Sequence, residues 1–99
     1  MKQLIFILFL FFFKPEPNYT INGTVLNLNN IPVPFSYVYI DNSSIVTYSD
    51  VYGNFQIRLQ KKEKYLIKIS NINYQTFDTI ININKKTTLI KINVVEMSK

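Results

Sequence analysis

Residues 49–57 read Ser-Asp-Val-Tyr-Gly-Asn-Phe-Gln-Ile. An acid stands three positions before a glycine, and an aromatic follows two positions later. Three readings compete for Asp50: a metal ligand, a catalytic acid, or a turn that feeds a strand. The metal reading requires several further oxygen ligands at short spacing, and Val51 and Tyr52 occupy those places. The catalytic reading requires a partner base or a second acid, yet Glu16, Asp41, Glu63, Asp78 and Glu96 share no motif spacing with Asp50. The turn needs only what is present. An Asp side chain accepts bonds from backbone amides two residues on, Gly53 takes a positive φ without steric cost, and Asn54 tolerates the left-handed region. We read Asp50, Gly53 and Asn54 as a structural turn, with no catalytic, cofactor-binding or metal-ligating residue in the chain.

Downstream, residues 54–60 alternate strictly. Phe55, Ile57 and Leu59 face one way, and Gln56, Arg58 and Gln60 the other, which is the period of a half-buried strand. The same period recurs at 19–27, where Tyr19, Ile21 and Val25 oppose Thr20, Asn22 and Thr24. It recurs again at 65–70, where Tyr65, Ile67 and Ile69 share a face. β-branched and aromatic runs at 35–40, 45–49, 74–84 and 87–95 complete the set. Asn- and Pro-rich "LNNIPVP" (28–34), "DNSS" (41–44), "KKEK" (61–64), "NIN" (71–73) and Lys85–Lys86 separate them. Seven short strands at spacings of roughly 10 residues, with no amphipathic helix, predict an all-β chain folded as an antiparallel β-sandwich.

The N-terminus reads differently. Lys2 precedes an unbroken apolar run from Leu4 to Phe13. A spanning helix needs about 20 apolar residues, so residues 1–14 fit a secretory signal peptide. No small-x-small cleavage site follows, so an uncleaved N-terminal anchor, associating with a membrane through residues 4–13, fits as well. "KPEP" stiffens the linker at 15–18, and the folded domain is expected over 19–96. The chain is thus read as exported, to the periplasm, the outer membrane or the outside.

Several stretches then fall into one order. "INGTV" (21–25), "IPVPFSYVYI" (31–40), "SDVYGNFQI" (49–57) and "IKISNINYQT" (67–76) together resemble the carboxypeptidase regulatory-like domain. Ser49 stands where that pattern usually has Thr, and Asn30 and Asn73 where it has Gly. Asn is the best non-Gly occupant of a left-handed turn, so Asn73 joins the structural turn residues. The resemblance implies a prealbumin-like seven-stranded sandwich. It is similar to the domain appended to metallocarboxypeptidases and to the N-terminal extension of TonB-dependent outer-membrane receptors, where the domain is not itself the catalyst.

Composition narrows the function further. The 99 residues contain no His, Cys or Trp, which removes imidazole and thiolate sites and Ser–His or Cys–His nucleophile pairs. A net charge of +5, without basic residues interleaved with aromatics on one face, does not make a nucleic-acid surface. Tyr37 and Tyr39 are outward partners of Val38 and Ile40 and could stack on a ligand. The expected function is a non-catalytic, exported accessory or binding module of the cell envelope, without cofactors, contacting another envelope protein or a glycan. A short relative of the receptor extension and a transthyretin-like small-ligand carrier are the alternatives.

Overall fold

The computed structural model describes residues 18–97. The apolar segment 1–14 and linker residues 15–17 lie outside the described residues. Seven strands follow one another: β1 (Tyr19–Leu26), β2 (Tyr37–Ile40), β3 (Val46–Tyr48), β4 (Asn54–Leu59), β5 (Lys64–Asn71), β6 (Tyr74–Asn82) and β7 (Thr87–Asn93). They form two sheets, one ordered β4-β1-β7 and one ordered β3-β2-β5-β6. The all-β sandwich predicted from the alternating pattern is the observed architecture.

One pairing departs from the antiparallel expectation. β1 runs parallel to β7, from Thr20 opposite Thr87 to Leu26 opposite Asn93. The other pairings are antiparallel. A tight hairpin can join only antiparallel strands. β1 and β7 lie at opposite ends of the domain sequence, so no turn dictates their relative direction. The alternation along each strand, which the sequence does display, says nothing about it.

The core lies between the sheets. Ile21 and Val25 of β1, Phe55, Ile57 and Leu59 of β4, and Ile92 of β7 supply one layer. Val38 and Ile40 of β2, with Ile67 and Ile69 of β5, supply the other. Each is the inward member of an alternating run. Gly23 interrupts the inward row of β1 for a steric reason. It stands directly opposite Phe55, and a methyl group there would overlap the Phe55 ring. The glycine of "INGTV" and the phenylalanine of "SDVYGNFQI" therefore share one site in the core.

Strand boundaries move by one or two residues relative to the sequence reading, and two of the shifts carry structural information. The run at 35–40 becomes a strand only from Tyr37, because Phe35 sits at φ 59°. The run at 74–84 ends at Asn82. Ile83, just beyond it, is still buried, and its N–H is held by the Glu63 carbonyl at 3.0 Å.

Inside and outside are separated sharply along β4. Ile57→Ala is expected to cost about 2–5 kcal/mol by deleting buried methyl groups. Gln56→Ala, which loses only an exposed bond to Asn22, is expected to stay within about 0.5 kcal/mol. Denaturant titration of both variants checks this, and equal losses would reverse the assignment of faces.

Candidate functional site

Asp50 is engaged by its own loop. Its Oδ1 accepts the N–H groups of Tyr52 and Asn54, both at 2.9 Å. Its carbonyl accepts the Gly53 N–H at 3.0 Å, and its N–H donates to the Asn54 carbonyl at 2.9 Å. Gly53 has φ 79°, and any side chain there would be driven against the Val25 carbonyl. That proximity lets the Val25 N–H donate to the Gly53 carbonyl at 2.7 Å. The turn is thereby fastened to β1.

Asn54 and Asn73 depart from the expected left-handed geometry. Among the described residues other than glycine, positive φ occurs at Asn30, Phe35 and Asn42. Asn54 is instead the first residue of β4, paired with Thr24, and its Oδ1 accepts the Thr24 hydroxyl at 2.9 Å. At the β5–β6 turn the capping side chain belongs to Asn71, whose Oδ1 accepts the Asn73 N–H at 3.2 Å. A register shift between Ile69 and Asn71 frees the chain from needing a left-handed residue at 73.

Ser49 has a role that its place in the sequence did not reveal. It is buried beside buried Ser36. Its hydroxyl donates to the Val33 carbonyl at 3.0 Å and accepts the Ser36 N–H at 2.8 Å. Its backbone accepts from Phe35 and donates to Ser36, each at 2.9 Å. These four bonds clamp residues 33–36 and hold Phe35 in a region that bulky residues avoid. The Phe35 side chain is 66% exposed.

Around it lies an aromatic surface. Phe35, Tyr37, Ile72 and Tyr74 line a groove of about 590 Å³ at the end of the four-stranded sheet, with Ser70, Asn71 and Asn73 as its polar members. Tyr37 continues the surface along the sheet. Its ring centroid lies 5.1 Å from Tyr39 and 5.3 Å from Tyr48, tilted at 44° and 62°. Lys68 stands opposite Tyr39 and pairs with Asp41 at 3.6 Å, so charge at this rim is largely cancelled. The outward assignment of Tyr37 and Tyr39 is correct. Phe35 escaped the sequence reading because a β-rich run of six residues looks like uninterrupted strand.

A second depression, of about 740 Å³, lies where the Asp50 turn, Tyr48 and the gap left by Gly23 meet. Beside it, one oxygen of the Asp50 carboxylate, Oδ1, accepts two backbone amides. At the other end of the molecule, burial and then the nearby Glu63 charge push the Tyr65 hydroxyl above its ordinary pKa, against the lowering effect of its bond to the Lys61 carbonyl. Among the described residues there is no group of three His, Cys, Asp or Glu side chains able to hold a metal. No helix among them is long and apolar enough to cross a membrane.

The fold and this site define a small β-sandwich module with an exposed aromatic surface. Residues 21–99 match the CarboxypepD_reg-like domain, and the chain belongs to that family. Solved structures share the fold at low identity. A C-terminal interface mutant of a type II cohesin–X-dockerin complex from Acetivibrio cellulolyticus aligns with TM-score 0.62 and 17% identity, over 78% of this chain and 56% of that one. The N-terminal interface mutant of the same complex aligns with TM-score 0.62 and 18% identity over the same shares. This chain thus spans little more than half the length of those chains. The Caf1A usher C-terminal domain aligns with TM-score 0.52 and 16% identity, over 78% of this chain and 97% of that one. A comparison with curated proteins gives no match.

Three substitutions test the clamp and turn by thermal and denaturant melting. Gly53→Val is expected to destabilise by more than about 1 kcal/mol, through φ strain and the Val25 clash. Ser49→Ala should cost about 1–3 kcal/mol, since it strands a buried donor and a buried acceptor. Asp50→Asn should be mild, because the amide oxygen still accepts. Calcium should not shift the wild-type melt relative to chelator. A calcium-dependent rise that Asp50→Asn abolishes would make Asp50 a metal ligand.

Proposed function

We propose that this chain is a non-catalytic, exported accessory module of the cell envelope that binds another protein through the Phe35–Tyr37–Tyr48 surface. One observation carries the reading: an exposed phenylalanine is held in strained backbone by four hydrogen bonds from Ser49. Such strain costs of order 1–3 kcal/mol and persists only where surrounding structure over-determines it. The Phe35 ring serves no packing purpose in the core, so its use lies outside the domain. Aromatic side chains, Trp and Tyr foremost, are enriched among the residues that dominate interface energetics.

The ring geometry favours a protein over a glycan. Rings tilted by 44° and 62° to one another give no flat platform for a sugar. They do give pockets and edges that receive apolar side chains. In the Caf1A usher C-terminal domain, surface hydrophobic clusters are important for F1 antigen assembly, a precedent for such use on this fold. The Lys2-plus-apolar start supports export.

Phe35→Asn separates the two demands on residue 35, because Asn accepts the left-handed region. It is expected to leave the melting temperature unchanged or raised. Photo-crosslinking in the host then reads the partner: a crosslinker at Tyr48 should trap an envelope protein, and one at Arg58, on the other sheet, should not. Phe35→Asn should reduce the Tyr48 adduct. A stability loss above about 1 kcal/mol, or equal adducts from both positions, would overturn the proposal.

A further inference from the structure

The edge strands of the two sheets differ in length, charge and regularity of pairing. An exposed strand edge is a template for pairing with another chain, and proteins blunt it with shortness, charge, proline or bulges. β3 is three residues long. β6 carries Asp78 and meets β5 with a register shift. β4, at the far side of the other sheet, carries Arg58. β7 carries Lys91 but has neither proline nor bulge, and it pairs with β1 in unbroken register over seven residues. On its other side, no described strand pairs with it.

The backbone bonds show which groups are left over. The Lys86 carbonyl accepts from Thr20, and the Val94 N–H donates to Leu26. Even-numbered positions therefore face β1. Backbone groups alternate along a strand, so Thr87, Leu89, Lys91 and Asn93 turn their N–H and C=O groups to the open side. On the outward face of the same strand, Leu89 is 76% exposed, although its face neighbours on β1 and β4 are polar: Asn22 and Gln56.

We infer that the open edge of β7 receives the β7 strand of a second copy of this chain, antiparallel and centred on Ile90, so that the two three-stranded sheets become one. The centre follows from the residues. Pairing Leu89 with the second copy's Lys91, and Thr87 with its Asn93, makes every open-side backbone group part of a hydrogen-bonded pair. Four such pairs, exchanging two bonds each, give roughly eight hydrogen bonds. Ile90 then meets its own copy in a non-hydrogen-bonded pair, where side chains approach closest. Lys91 never faces Lys91, as it would in a register centred one residue further on. Its aliphatic stem lies instead over the exposed Leu89 of the other copy. Centring on Leu89 also avoids facing lysines but leaves Asn93 unpaired and shortens the ladder.

The absence of native cysteine allows a direct test in the full chain. In the proposed register, Ile90 faces itself at a Cα separation of about 4.5 Å, inside the disulfide range of roughly 4.4–6.8 Å. Ile90→Cys should give a disulfide-linked dimer under mild oxidation. Gln56→Cys, on the far strand of the sheet, should not. Adding Leu89→Lys places like charges opposite one another twice and should cut the trapped fraction by about fivefold or more, whereas Leu89→Glu faces Lys91 and should raise it. Sedimentation of the cysteine-free chain in mild detergent gives a second readout, with Leu89→Lys shifting dimer to monomer. A folded Ile90→Cys that stays unlinked or links only to a different protein would overturn the inference. So would equal linking from Gln56→Cys, wild type monomeric in sedimentation, or indifference to both Leu89 changes.

Discussion

The structure hangs on the seating of residues 49–54 against β1 and the loop before β2. Gly53 lies so close to the Val25 carbonyl that no side chain fits between them. Val25 in turn receives the Val33 N–H at 2.9 Å and gives its own N–H to Gly53. One residue of β1 thus ties the Asp50 turn on one side to the proline loop on the other. Two residues later along β4, Phe55 fills the space that Gly23 leaves empty. The turn and the first core layer are consequently one unit: moving the turn would withdraw Phe55 from the core, and enlarging Gly23 would displace the Phe55 ring.

Ser49 extends that unit to the other sheet. Its hydroxyl is inside the protein, where an unmade hydrogen bond is costly, and both of its bonds go to the loop carrying Phe35. The same short segment that closes the β3–β4 connection therefore determines the backbone angle of the most exposed aromatic in the groove. Rigidity matters for such a surface, because side chains held in place before contact lose less entropy on binding.

The two outer faces are chemically unlike. On the four-stranded sheet, Tyr37, Tyr39, Val46 and Tyr48 form an apolar strip beside a neutralised Lys68–Asp41 pair. On the three-stranded sheet, Thr20, Asn22, Thr24, Gln56 and Arg58 form a polar field. A partner that prizes aromatic contact has one face to choose, and Leu89 at the β7 edge is the exception on the other. The division leaves the groove and the β7 edge on separate sheets.

Much of this was readable from residue order. Period-two alternation decides which side chains are buried, because successive residues on a strand point to opposite faces whatever the strand pairs with. The Asp50–Gly53 turn is local hydrogen bonding and φ preference, and needs no neighbours to be recognised. What pairs with what is a different kind of fact. The parallel β1–β7 contact, the meeting of Gly23 with Phe55, and the Ser49 clamp join residues that are distant in sequence and leave no mark on local pattern. Asn73 shows the limit from the other side: an Asn in a turn suggested a left-handed backbone, but a register shift in β5 and the Asn71 side chain made that unnecessary. The strain at Phe35 was invisible for the same reason. Its immediate neighbours favour strand, and only the hydrogen bonds from Ser49, fourteen positions away, hold it where no strand would place it.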